Sequence, residues 1–132
     1  FLAFEESFRG GVWVTVGDVD GDGTNEIIVG AGVGGGPRVR VMRLDGTSVV
    51  DFFTQDSTLR QGVSVAESDL DGDGAAELIT GVDSQVLIFA GKTLELLRSF
   101  NSGLPGPITV AVGNNQILVG SGLGESTTRV FD

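Results

Sequence analysis

Two short segments of the chain concentrate oxygen ligands. In Asp18-Val19-Asp20-Gly21-Asp22-Gly23-Thr24-Asn25-Glu26, carboxylates stand at positions 1, 3, 5 and 9 and glycines at positions 4 and 6. The segment Asp69-Leu70-Asp71-Gly72-Asp73-Gly74-Ala75-Ala76-Glu77 repeats every one of those positions. Hard oxygens at this spacing suit calcium, which takes about six to eight of them. Asp18, Asp20 and Asp22, the backbone carbonyl of Thr24 and a bidentate Glu26 supply about six. Asp69, Asp71, Asp73, the carbonyl of Ala75 and Glu77 supply the same set. Two calcium sites are therefore expected. Magnesium is less suited, because it demands a tighter octahedron and keeps several waters. The plain alternative is a solvated acidic turn without an ion. Against it, four carboxylates so close together repel one another, and a divalent cation turns that repulsion into a cross-link. An EF-hand is rejected: its twelfth-position glutamate would fall on Val29 and Thr80, and no flanking helices are legible.

The rest of the composition removes other chemistries. The chain has no cysteine and no histidine, so zinc sites of the usual kind, cysteine nucleophiles and a histidine base are excluded. Eighteen acidic against eight basic residues leave a formal charge of −10, which disfavours nucleic acid as a partner. No apolar run approaches the roughly 18 residues that span a bilayer, so membrane insertion is not expected. The chain begins at Phe1, which suggests a processed product or a segment of something longer.

The elements that must position the acids are repeated. A shift of 51 residues lays Gly11 to Gly30 over Gly62 to Gly81 with 11 of 20 positions identical, and Phe1 falls on Phe52. A third copy lies at Ile108 to Gly120, where a short turn, Val112 to Asn115, replaces the acidic loop and Gln116 stands in the place of glutamate. Alternation with period two (Val12, Val14, Val16) and runs such as Ile27 to Val29, Val39 to Val41 and Val49 to Phe53 read as short strands in antiparallel meanders. Four strands in each repeat of about 45 to 51 residues is the size of a β-propeller blade. A sandwich or solenoid of hairpins shares the local pattern. The expected fold is all-β: one propeller segment over residues 1–132, with repeats at about 1–51, 52–100 and a degenerate one at 101–132. About three four-stranded blades result, the last lacking its outer strand. Phe1 to Ala3 aligns with the close of a fourth strand at Phe52 to Thr54.

The stretch GVWVTVGDVDGDGTNEIIVGAG, with its later copy GVSVAESDLDGDGAAELITG, resembles the FG-GAP repeat, also called the integrin-α-like or VCBS repeat. The resemblance is strong in the first two copies and weak in the third. It implies a β-propeller with calcium in the hairpin loop between the first two strands of a blade, usually extracellular and used for adhesion or ligand recognition. It carries over to Asp18, Asp20, Asp22, Thr24 and Glu26 and to Asp69, Asp71, Asp73, Ala75 and Glu77. It also implies more blades than about three, so further blades or copies of the same chain are expected as partners, in a homo-oligomer or a filament.

The reading of function that follows is a non-enzymatic, calcium-stabilised structural or adhesive module of a secreted or cell-surface protein. The alternatives are a lectin-like carbohydrate-binding propeller and a non-catalytic fragment of a polysaccharide-acting enzyme; a protein or glycan ligand is compatible with either. Trp13, the single tryptophan, could stack on a sugar, but burial between blades is the blander expectation. Gly30, Gly32 and Gly35 match a dinucleotide fingerprint, yet Pro37 and the alternating RVRV that follow indicate a strand rather than the required helix. Arg38, Arg40 and Arg43 are expected to pair with nearby acids, and the eight phenylalanines to pack at strand ends.

Overall fold

A computed structural model describes residues 1–122 and 126–132. Every regular element among them is a strand: β1 (Val12–Gly17), β2 (Glu26–Ala31), β3 (Arg38–Met42), β4 (Ser48–Phe53), β5 (Ser64–Ser68), β6 (Glu77–Val82), β7 (Gln85–Phe89), β8 (Leu96–Asn101), β9 (Ile108–Gly113), β10 (Gln116–Ser121) and β11 (Thr128–Phe131). They form three antiparallel meanders, β1-β2-β3-β4, β5-β6-β7-β8 and β9-β10-β11. The sheets approach one another through their first strands, β1 against β5 and β5 against β9. This is an open stack of propeller-like blades, the all-β architecture that the repeat predicts.

Alternation along each strand sends successive side chains to opposite faces, and each face meets a different neighbour. Ile28, Val39 and Val41 of the first sheet pack with Val63, Val65, Leu78, Leu87 and Phe89 of the second. Ile79, Val86 and Ile88, on the second sheet's other face, pack with Ile108, Ile117 and Val119 of the third. β6 lies between both interfaces and is buried at all six positions, which is why ELITGV reads as an almost continuous apolar run. Each such side chain contributes about 1.5–3 kcal/mol of burial.

Close approach of the sheets requires glycine at one repeated position. A Cβ on Gly30 would lie 2.2 Å from the Val63 carbonyl oxygen of the next sheet. A Cβ on Gly81 would crowd Ile108 and Val110 at 3.0 Å. Gly120 is the corresponding residue of the third sheet. There an added methyl would meet, among the described residues, the Thr109 hydroxyl of its own sheet at 3.0 Å.

The connections between sheets are repeated as closely as the strands. Phe8 and Leu59 occupy equivalent places, Phe8 beside Val29, Ala31 and Met42 on the outer face of the first sheet and Leu59 beside the core between the first two sheets. Leu104 does the same between the second and third. The arginine after each of the first two caps its turn: Arg9 Nη1 donates to the carbonyls of Glu6 and Phe8, and Arg60 Nη1 to those of Ser57 and Leu59.

The first sheet departs from expectation in two ways. Phe1 to Ala3 is not a strand. The Ala3 carbonyl instead accepts a 2.6 Å hydrogen bond from Arg40 Nη1, and the segment crosses the face of a sheet whose four strands are already paired. Val12 and Val14, the equivalents of buried Val63 and Val65, are 50% and 61% exposed, and Val16 beside them 46%, because no sheet precedes them among the described residues. Two of the three arginines pair as expected: Arg38 forks onto Asp51 at 2.9 and 2.8 Å and reaches Glu5 at 2.6 Å, while Arg40 Nε lies 3.2 Å from Asp51.

Gly30→Ala is expected to destabilise the chain by about 1–3 kcal/mol through overpacking against a backbone carbonyl, and Gly120→Ala to fall within about 0.5 kcal/mol of wild type. Urea denaturation compares them, and equal losses would refute the close-approach argument. A second expectation concerns acid. Hydrogen bonding from Arg38 holds the Asp51 carboxyl below its ordinary value of 3.8. The folded form therefore binds fewer protons than the unfolded chain, so the stabilisation is complete above pH 3.8 and is lost as pH falls through the depressed value. Melting followed from pH 6 to pH 2 should be less acid-sensitive in Asp51→Asn than in wild type.

Candidate cation-binding loops

Both acidic segments are the loops of the first hairpin in their sheets. Gly17 pairs with Glu26 at the end of the β1–β2 ladder, and Ser68 with Glu77 at the end of β5–β6. The loop between is folded by its own first carboxylate. Asp18 Oδ1 accepts from the backbone N–H of Gly21 at 2.8 Å and of Asp22 at 3.1 Å, and Oδ2 from that of Gly23 at 2.8 Å. Asp69 accepts from Gly72, Asp73 and Gly74 at 2.8, 3.1 and 2.9 Å. Asp20 and Asp22 each cap the residue two further on, as do Asp71 and Asp73. Gly21, Gly23, Gly72 and Gly74 all take φ between 78° and 90°, which closes the backbone around the carboxylates at little cost only for glycine.

The glutamate closes each loop from below. Glu26 is 1% exposed and its Oε2 accepts from Val19 N–H at 2.9 Å; Glu77 is 3% exposed and accepts from Leu70 N–H at 2.6 Å. Burial pushes both carboxyls above their ordinary range, the glutamate–backbone bond pulls the other way, and neighbouring aspartates raise them further. Carboxylates in this setting favour a partner that carries positive charge.

The structure gathers the four carboxylates of the second set: one oxygen from each of Asp69, Asp71, Asp73 and Glu77 lies within 4.8 Å of the others. In the first set, Asp18, Asp20 and Asp22 meet this distance and Glu26 stands outside it. The seventh-position residues also differ, Thr24 being exposed and Ala75 buried. An all-oxygen cluster of this kind is able to hold a hard cation.

Lys92 is a participant that sequence reasoning missed. It sits in the β7–β8 turn with Nζ 3.9 Å from Asp73 Oδ2, and it lines a cavity of about 80 Å³ together with Asp20 and Glu26. No local signal announces it, because the residue is brought in by the packing of one sheet on the next. Gly91 makes this possible: a Cβ there would lie 2.2 Å from the Ala76 carbonyl oxygen and 2.3 Å from that of Val19. Trp13, expected between blades, is 43% exposed. It borders a cavity of about 300 Å³ that also touches Ser64, Ile108 and Thr109 of the following sheets.

Among known families, the FG-GAP-like repeat matches the chain over residues 18–80. The matched stretch runs from the first residue of the first acidic loop into β6. No curated protein and no solved structure matches the chain significantly.

Replacing Glu77 by glutamine keeps an oxygen to accept from Leu70 N–H and removes a buried negative charge beside Asp71 and Asp73. With chelator present, Glu77→Gln is therefore expected to melt a few degrees above wild type at neutral pH, while gaining less than wild type when calcium is added. Paired thermal melts check this; a lower melting temperature in chelator would contradict the crowding of charge at that loop.

Proposed function

Residues 18–80 belong to the FG-GAP-like repeat family, and from that premise we propose that the chain is a calcium-braced, non-catalytic repeat module of an extracellular protein. The observation that carries the reading is the duplication of a loop in its atomic detail. Asp18 and Asp69 accept the same three backbone N–H groups, and the later aspartates cap the same positions, although none of these bonds passes from one loop to the other. A solvated acidic turn has no need of this arrangement. Both oxygens of Asp18 and Oδ1 of Asp20 and Asp22 accept from backbone N–H groups, and one oxygen of each of the three lies within 4.8 Å of the others.

The residues fit calcium. Asp69, Asp71, Asp73 and Glu77 would hold it in the second loop with the Ala75 carbonyl. Asp18, Asp20, Asp22, the Thr24 carbonyl and Glu26 would do so in the first, with Glu26 brought in by a small adjustment of the loop. The ion would supply positive charge and cross-link the start of one strand to the end of its neighbour. Extracellular calcium is abundant enough to keep even weak sites of this type filled. No helix among the described residues is long and apolar enough to cross a membrane.

The exposed valine row of β1 supports a structural role and a partner of the same kind. Val12, Val14 and Val16 present outward the surface that Val63 and Val65 bury against the first sheet. Val130, 56% exposed, lies on the outward face of the third sheet. Further blades or copies of this chain, packed as the described sheets pack on each other, would cover both. Adhesion or ligand recognition would then belong to the assembled surface.

Calcium in hundredfold excess over its dissociation constant should stabilise the chain by about 2.7 kcal/mol at each site, raising the melting temperature by roughly 10 °C or more. Differential scanning calorimetry with calcium and with EDTA measures it. Melting that is the same in both would overturn the proposal.

A further inference from the structure

The two acidic loops touch each other. The Ala76 N–H of the second loop donates to the Asp18 carbonyl of the first at 2.7 Å. A methyl group on Gly21 would lie 3.4 Å from Ala75 Cβ and 3.6 Å from the Gly74 carbonyl oxygen. Gly72, the same position in the second loop, would meet nothing within 4 Å among the described residues. The contact therefore runs in one direction, because the third sheet has the Asn114–Asn115 turn where another acidic loop would stand. It also accounts for a difference between the copies: Thr24 and Asn25 are exposed, whereas Ala75 and Ala76 are buried beneath the first loop.

One peptide unit joins the two loops. The bond between Ala75 and Ala76 is trans, so its C=O and N–H lie in one plane and point in opposite senses. Its N–H is held by the residue that opens the first loop, Asp18. Its C=O is the seventh-position oxygen of the second loop, and it points away from Asp18. An N–H engaged by a carbonyl acceptor polarises the amide and makes its oxygen a better ligand. The Asp18 side chain is in turn fixed by three backbone donors and stands among the oxygens of the first cluster.

Resting on the calcium reading above, we propose that the two sites are positively coupled through the Ala75–Ala76 peptide: order in the first loop orients and polarises the carbonyl that serves the second. By linkage the effect is reciprocal. The field of a bound ion acts in the opposite sense, since filling one loop weakens the negative potential at the other. That field is screened over about 8 Å at physiological ionic strength, whereas a direct hydrogen bond is not. Added salt therefore weakens the opposing field and leaves the contact in place.

Calorimetric calcium titration of the full chain at physiological salt tests it. In wild type, the product of the two step constants should exceed the product of the constants of the two sites taken singly by about fivefold or more, the lower end of ordinary coupling. Asp20→Asn combined with Asp22→Asn disables the first loop while its amide oxygens still accept from Asp22 N–H and Thr24 N–H. The remaining site should then bind about fivefold more weakly than it does in wild type once the first loop is filled. Asp71→Asn with Asp73→Asn should weaken the first site by the same factor. A product of the two wild-type step constants no larger than the product of the single-site constants of the two double variants, or a second site unchanged or tightened by disabling the first, would overturn the coupling and leave calcium binding intact. A wild-type chain that takes up no calcium would overturn the reading on which it rests.

Discussion

A β-meander has two faces, and almost everything in this molecule follows from the need to cover both. Hydrogen bonding satisfies the backbone within a sheet, but the side chains alternate, so half of them point each way. The second sheet solves the problem completely, with Leu78 and Leu87 turned to one neighbour and Ile79 and Ile88 to the other. Contact at that distance leaves no space for a side chain on Gly30 or Gly81, and it draws the hairpin loop of one sheet onto the loop and turn of the next. The acidic loops become neighbours because the sheets must.

That packing sets the electrostatics. Eight carboxylates are delivered to one end of the stack, two of them, Glu26 and Glu77, below the surface. Among the described residues the nearby cation is a single lysine, Lys92, and it is half-exposed and 3.9 Å from its closest acid. Buried acid near like charge costs stability, and one surface ammonium recovers little of it. Backbone N–H donors to all eight carboxylates reduce the cost of burying them but leave their like charge in place. The arrangement is comprehensible as half of an ion site and costly as anything else.

Much of this was legible in the sequence, for identifiable reasons. The strands were, because period-two alternation and a 51-residue repeat are local and redundant signals. The acidic positions were, because ligand spacing within a nine-residue loop is itself local. The structure adds what depends on the approach of distant segments. Lys92 enters from a turn of another hairpin, and Ala76 reaches Asp18 across 58 positions of chain. Glu26 lies outside its cluster while Glu77 lies inside, a difference that two identical spacings could not foretell. Phe1 to Ala3 is not a strand because the segment is held on the face of the first sheet, with the Ala3 carbonyl bonded to Arg40, and not along a sheet edge.

The degenerate third copy shows which parts of the repeat are separable. It keeps Ile108, Ile117 and Val119 at the interface and keeps Gly120, so its apolar face is that of a blade. Its hairpin closes through Asn114 and Asn115, with φ of 52° and 59°, a two-residue turn that needs no ion. A sheet can therefore join the stack by apolar contact alone. The acidic loop is then an addition to a blade that packs without it, and the two such loops meet between the first sheet and the second. The contact between Asp18 and Ala76 is at that place, and the third sheet, which offers no loop to the second, has given up the contact together with the acids.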